Sequence, residues 1–357
     1  MADIERFGTI GNKAEVHIYT LVCGNVTARV MDFGATLLSL VAPDQNGNLD
    51  DLVLGFDQLE GYFDNPACYG ATIGPSANRT DQGEVAIAGT LYHMPGNDGP
   101  SLRNNLHTDL KHGIHKRIWD ASPSEDGASV CFSLKLPDKE YGLPGNRLLT
   151  ACYSLESNES GSVTLRVHYE CSTDAPTFVN MTNHTYWNLA GHASGSILEQ
   201  TVCVQAQKYL PLRDDNVSLG TVEDVAGTPF DFRQPKALGR DIEQDCDQLR
   251  QARGYDHCFC IDNYRPDAPA RPALHAEDLK SGRVLDISIT TPGAHLYTGN
   301  WLEDANAKEG AEYRPRYGFA FEPEFWPDNM HHDDWIHPRC EPCHPYAQTI
   351  LYRFSHK

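Results

Sequence analysis

Ser162-Val-Thr-Leu-Arg-Val-His-Tyr-Glu170 places apolar side chains at 163, 165, 167 and 169 and polar ones at every position between them. A period of two sends successive side chains to opposite faces of an extended chain. The segment therefore predicts a β-strand with one face in a core and one in water. The same period recurs in Ala128–Pro137, Val284–Pro292 and Thr349–Ser355, and in the longer run Ala28–Pro43. These runs are rich in Val, Ile, Thr, Tyr and Phe and are bounded by Gly, Pro, Asn or Asp. Turn signals at Asp44-Gln-Asn-Gly47, Ala88-Gly89 and Ser160-Gly161 recur along the chain. Only Pro235–Arg253 reads as helical. No strand–helix alternation argues for a doubly wound sheet, and no repeat of about 20–50 residues argues for a solenoid or propeller. Many short strands without helices predict an all-β protein, a large antiparallel sandwich or barrel. No low-complexity linker divides the chain, so residues 1–357 are expected to form a single domain.

Composition narrows the function. Of 357 residues, 40% are apolar, enough for a sizeable core and incompatible with intrinsic disorder. Lys plus Arg number 29 against 49 Asp plus Glu, a formal charge of −20. Such a field repels phosphate backbones and anionic lipid, so neither nucleic acid nor a membrane is expected as partner. Neutral or cationic ligands are favoured. Apolar runs such as Leu37–Pro43 fall far short of the roughly 20 residues that span a bilayer. The opening residues, MADIERFGTI, show no basic-then-apolar export pattern. Eleven cysteines, scattered from Cys23 to Cys343, read as free thiols rather than a disulfide framework. A soluble, cytoplasmic protein is the expectation.

Polar residues concentrate in a few segments with strand-like or tight-turn character: Gly74–Arg79, Asn104–His107, Asn180–Gly191, Gly254–His257 and Gly318–Asp328. The third holds Asn183, His184, Thr185, Tyr186, Trp187 and Asn188 in one run. Aromatic faces stack on sugar rings, and Asn, His and Asp exchange hydrogen bonds with hydroxyls. That mixture suits a neutral polyol better than a phosphate. Glu322 follows Phe319 and Phe321, whose rings can desolvate its carboxyl and raise its pKa. A carboxylate and a histidine brought together from distant strands make a general acid/base pair. Taken singly, these residues have ordinary readings as well: a strand-end carboxylate at Glu322, a core histidine at His184, a loop histidine at His107, a turn-capping Asp256 and a surface ion pair at Arg79.

The ordered set resembles the aldose 1-epimerases, the mutarotases of the galactose mutarotase family. It comprises Ala77-Asn78-Arg79, Asn105-Leu106-His107, Asn183-His184-Thr-Tyr-Trp-Asn188-Leu-Ala-Gly191, Gly227–Arg233, Gly254-Tyr-Asp256-His257, Tyr297-Thr-Gly-Asn300, Glu322 with Pro327-Asp328, and Tyr352-Arg353-Phe354. The resemblance covers nearly the whole chain. It implies a galactose mutarotase-like β-sandwich that needs no metal or cofactor. It implies Glu322 as general base and His184 as general acid, with His107, Arg79 and Asp256 on sugar hydroxyls, Asn78 beside them and Tyr297 lining the pocket. The expected substrate is a free hexose of the glucose/galactose class; a disaccharide, a hexose phosphate or mere carbohydrate binding are the alternatives. A monomer or homodimer is expected. Glu322 must begin ionised and His184 protonated, which predicts a bell-shaped pH profile with Glu322 on the acid limb and His184 on the alkaline one.

Three departures from the family pattern bear on the site. Pro75 follows Gly74 where Gly-Arg is usual. Thr108-Asp109 replace glycines after His107, which leaves His112 as a second candidate for the pocket histidine. Glu324 stands where a Gln commonly follows the base, a second carboxylate that would raise the pKa of Glu322 if it points inward. Finally, residues 331–344 carry His331, His332, His337, Cys340, Cys343 and His344. This matches zinc- and haem-binding spacings, but it reads foremost as a Pro-rich loop before the last strand.

Overall fold

The computed structural model describes residues 3–11, 14–158 and 161–357; Ser160 of the Ser160-Gly161 turn, and the first two residues of the opening segment, lie outside them. Three large sheets, antiparallel throughout, account for most of the structure. Nine strands form the largest, in the order Asp120–Pro123, Ser129–Leu136, Arg147–Ser157, Val163–Thr173, Tyr346–His356, Arg283–Ile289, Arg271–Glu277, Thr201–Val204 and Lys236–Ala237. Val163–Glu170 of that segment lie within its interior strand Val163–Thr173. Val163, Leu165, Val167 and Tyr169 are buried while Glu170 and Arg166 face out, as the period of two requires.

A second sheet contains six strands: Tyr186–Trp187, Phe319–Glu324, Gly293–Tyr297, Asp256–Ile261, Ala206–Tyr209 and Glu223–Asp224. A third, five-stranded, is a meander from Asp3–Ile10 to Leu49–Asp51. The run Ala28–Pro43 is two strands of this meander, Val26–Met31 and Thr36–Pro43, with the reversal at Asp32–Ala35.

One apolar cluster joins the sheets. Phe132, Tyr153, Tyr169 and Tyr352 of the nine-stranded sheet meet Trp187, Phe259, Phe319 and Phe321 of the six-stranded one. Each such side chain, fully buried, contributes about 1.5–3 kcal/mol of apolar transfer. A polar seam crosses this core. Thr72 Oγ1 lies 3.2 Å from the Tyr153 hydroxyl and 3.3 Å from that of Tyr169, and Asn183 Nδ2 donates to the Tyr153 hydroxyl at 3.3 Å. Buried hydroxyls and amides are tolerated because they satisfy one another. The seam fixes the short strand Thr182–His184 against Ala71–Ile73.

Two expectations are corrected. Pro235–Arg253 is not one helix. Lys236–Ala237 adds to the edge of the nine-stranded sheet, Leu238 and Ile242 enter the core from turns, and only Asp247–Ala252 is helical. A buried ion pair, Lys236 Nζ to Asp241 at 2.8 Å, ties the segment into a fold that a helix could not adopt. The cysteines are also not all thiols. Cys131 and Cys152 are direct cross-strand neighbours and form a disulfide, while nine cysteines remain free. Pairing here follows from strand register, which their separation of 21 residues does not reveal. Among the described residues, no helix is long and apolar enough to cross a membrane.

Candidate active site

Strand alternation builds the site. In Phe319–Glu324, Phe319 and Phe321 point into the core, which leaves Glu322 and Glu324 on the opposite face. Ladder pairing sets His295 directly across from Glu322, and Tyr297 directly across from Asp256. Residues opposite each other in a ladder share a face, so Glu322, Glu324, His295, Tyr297 and Asp256 form one polar surface on the six-stranded sheet. In Thr182–His184, Asn183 turns to the polar seam, so His184 turns the other way, towards that surface. Asn78 and His107 sit at φ of +57° and +53° at the ends of the paired strands Arg79–Thr80 and Asn105–Leu106.

All of these groups except Glu324 line a cleft of about 520 Å³, within the range of small-molecule sites. All seven residues singled out from the sequence lie in it: Asn78, Arg79, His107, His184, Asp256, Tyr297 and Glu322. The pocket histidine is His107. His112 is exposed, and its backbone and ring engage Asp109 instead.

His184 Nε2 stands 3.5 Å from Glu322 Oε1, and both side chains are buried. His184 Nδ1 and Glu322 Oε2 make no hydrogen bond within the protein. Burial pushes the His184 imidazolium down to about 4. Burial likewise raises the Glu322 carboxyl well above 4.5; the His295 cation partly offsets this, and Glu324 and Asp256 add to it. The shifts therefore run opposite to the expected assignment of limbs. Burial thus favours the uncharged form of each group, a protonated Glu322 and a neutral His184. Glu324 shares the face of the base and is fully buried beside it, where a negative charge adds to the rise of Glu322.

The surrounding groups are held more firmly. Asn78 N–H donates to His107 Nδ1 at 3.2 Å. Burial keeps this imidazole neutral, so its proton sits on Nε2, which is then a donor. Arg79 Nε donates to Asp98 at 2.8 Å while the residue lines the cleft. Asp256 accepts from His295 Nε2 at 2.8 Å. Burial opposes ionisation of Asp256, but the His295 contact outweighs it and holds the carboxyl below its usual range.

His295 was missed in the sequence. Its signal was Gly293-Ala-His-Leu-Tyr297: once Tyr297 is assigned to a pocket, period two places His295 there as well. Trp301, 56% exposed at the cleft mouth with Arg253 stacked 3.7 Å from its ring centre, was missed too.

The His/Cys-rich tail does not converge. His331 engages Asp328, His332 packs on Trp335, His337 engages the His332 carbonyl, and Cys340 is buried against Cys171. Among the described residues, the one cluster of metal-ligand type is His107, His184 and Glu322. The His107 proton on Nε2 would have to leave before that nitrogen could bind a metal.

The aldose 1-epimerase family profile matches residues 17–353. Galactose mutarotase of Bos taurus is 33% identical over 341 residues, 95% of this chain and 94% of that protein. Aldose 1-epimerase of Escherichia coli K12 is 33% identical over 327 residues, 91% of each chain. Among solved structures, an aldose epimerase homologue from C. elegans superposes with a TM-score of 0.83 at 29% identity, covering 95% of this chain and 98% of that one. A galactose 1-epimerase from Lactobacillus acidophilus gives 0.82 at 25% identity, covering 100% and 99%.

Proposed function

This chain belongs to the aldose 1-epimerase family, and we propose that Glu322 and His184 carry out its reaction as general base and general acid on a free hexose. The protein is an isomerase that interconverts sugar anomers. The observation that supports the two roles is their pairing: an imidazole and a carboxylate 3.5 Å apart, both buried, each with one atom unpartnered, at the floor of a cleft edged by hydroxyl-binding groups.

Mutarotation needs two proton transfers. Glu322 takes the proton of the anomeric hydroxyl as His184 gives one to the ring oxygen. The C1–O5 bond breaks to the open aldehyde, rotation about C1–C2 presents the other carbonyl face, and the two groups act in reverse as the ring closes. His107 Nε2–H supplies a donor to the sugar hydroxyls, while Asp256 and Asn78 supply acceptor and mixed partners.

A glucose- or galactose-type hexose fits a cleft rimmed by Asp98, Glu303 and Asp304. A phosphorylated sugar fits it poorly, since the Arg79 guanidinium is already engaged by Asp98. A reducing disaccharide is the second reading. It is favoured by the exposed Trp301 at the mouth and by an adjoining hollow of about 630 Å³ that shares Asp98 and Asn216 with the cleft. The chain acts as one domain, in keeping with an apolar cluster that runs from Tyr19 to Phe354. A cytoplasmic location belongs to this reading: nine cysteines are thiols, against the one Cys131–Cys152 disulfide.

Polarimetry on freshly dissolved α-D-glucose, α-D-galactose, α-D-xylose and maltose tests both readings. Accelerated drift of rotation without a new compound is the expected result. No acceleration with any of the four sugars would refute the activity; the ratio of hexose to maltose rates decides the second reading.

A further inference from the structure

We propose that His295 is a positioning residue: a cationic link between Asp256 and Glu324 that offsets the second carboxylate beside Glu322 and keeps Asp256 turned into the cleft. This rests on the cleft being the site of anomer exchange.

Geometry carries the proposal. His295 is buried, and both of its ring nitrogens face carboxylates. Nε2 lies 2.8 Å from Asp256 Oδ1, and Nδ1 lies 3.5 Å from Glu324 Oε1. Burial works against a charged ring here, but the two carboxylate contacts outweigh it and raise the His295 pKa to about 10, which favours the imidazolium between them. Asn78 Nδ2 adjoins both groups, 3.1 Å from His295 Nδ1 and 3.5 Å from Glu324 Oε1.

Among the described residues, His295 is the cation within 4 Å of Glu324, and the more distant Arg79 adds a weaker attraction. The other oxygen of Glu324 makes no hydrogen bond within the protein. A buried carboxylate without a cation is expensive, and removing one partner of a buried pair leaves the other uncompensated. Without the imidazolium, negative charge on Glu324 would act directly against ionisation of Glu322 two residues away on the same face.

A double-mutant cycle in the full-length protein tests this: His295→Gln, Glu324→Gln, and both together, assayed by polarimetry for kcat and KM. Gln at 295 keeps an amide donor for Asp256 but carries no charge. His295→Gln alone should lower kcat/KM by about tenfold or more, chiefly through kcat, as coupled neighbours in one charge network do. The same change in the Glu324→Gln background should cost no more than about threefold, because no charge is left to offset. An equal loss in both backgrounds would overturn the proposal. If His295→Gln alone does not fold, Glu324→Gln and the double variant decide it: comparable activity supports the link, and an inactive double variant with native circular dichroism overturns it. Wild-type protein without mutarotase activity would sink the underlying reading instead, before any variant is compared.

Discussion

Replacing Glu322 by Gln keeps the size and shape of the side chain and removes its proton chemistry. The carboxyl oxygen nearest His184, at 3.5 Å, becomes an amide atom that can neither take nor return a proton. A positioned proton transfer is worth about 10²–10⁴-fold, or about 2.7–5.4 kcal/mol at about 1.36 kcal/mol per tenfold. Glu322→Gln should therefore lower kcat in the polarimetric assay by that factor. KM should change much less, because His107, Asp256 and Asn78 still bind the hydroxyls. Stability should move the other way. The folded-state pKa of Glu322 lies above its ordinary 4.5, so the unfolded chain releases this proton first and the wild type loses stability as pH rises from 4.5 towards the folded value. Gln does not titrate. The variant should melt higher than wild type at pH 7, and the gap should close below pH 4. Near-normal epimerisation would refute the assignment of the base. A variant that melts lower at pH 7 would refute the account of a carboxyl buried without partners.

The pH profile offers a second check. With His184 pushed down to about 4 and Glu322 raised, the acid limb of kcat/KM should report His184 and the alkaline limb Glu322. Glu324→Gln removes a like charge beside Glu322 and should move the alkaline limb to lower pH while the acid limb stays; movement of the acid limb instead would restore the opposite assignment. Asp256→Asn should raise KM by about tenfold or more, since it weakens a charge-assisted contact at 2.8 Å to His295 and removes a charged acceptor for the sugar; an unchanged KM would place Asp256 outside the binding set. Gly70→Ala should be far worse than Gly47→Ala. Both glycines have positive φ, but a Cβ at 70 would lie 2.0 Å from the Leu37 carbonyl oxygen, whereas none of the described atoms is within 4 Å at 47. Because Gly70 N–H also bonds the His184 carbonyl at 3.1 Å, activity and melting temperature should fall together. Trp187→Ala, which empties a fully buried site against Tyr352 and Phe354, should cost about 3–5 kcal/mol in urea unfolding.

Strands such as Val163–Thr173 were legible because one face is apolar and the other wet, and that contrast is written residue by residue. Phe319–Glu324 was less so. All six residues are buried, and no alternation of burial marks which face holds the chemistry; only the polar character of Glu322 and Glu324 does. Pro235–Arg253 misled because its apolar residues reach the core from turns, a tertiary effect outside any local period. The Cys131–Cys152 pair depends on register between two strands, which composition does not encode. His295 shows the same limit at the site. Its role arises from partners at 256 and 324, each visible in its own segment, but only pairing across Gly293–Tyr297 brings the three together.

The directions of the His184 and Glu322 pKa shifts bear directly on the rate. With Glu322 as base and His184 as acid, the pair enters the reaction as carboxylate and imidazolium. When the ring opens, Glu322 has gained a proton and His184 has lost one. The pair's net charge is zero before and after, so a low-dielectric cleft does not oppose the step through any change in total charge. It does discriminate between the two forms, because burial penalises separated charges. The neutral form, which burial favours here at both residues, is the one that accompanies the open aldehyde. Once the ion pair is formed, desolvation favours the exchange that opens the ring, but the same desolvation makes that ion pair scarce, so the gain is offset against the resting neutral pair. The same buried environment would make a permanently ionised Glu324 harmful, since its charge does not cancel within the reacting pair. An imidazolium fixed at 295 removes that penalty without taking part in the proton traffic.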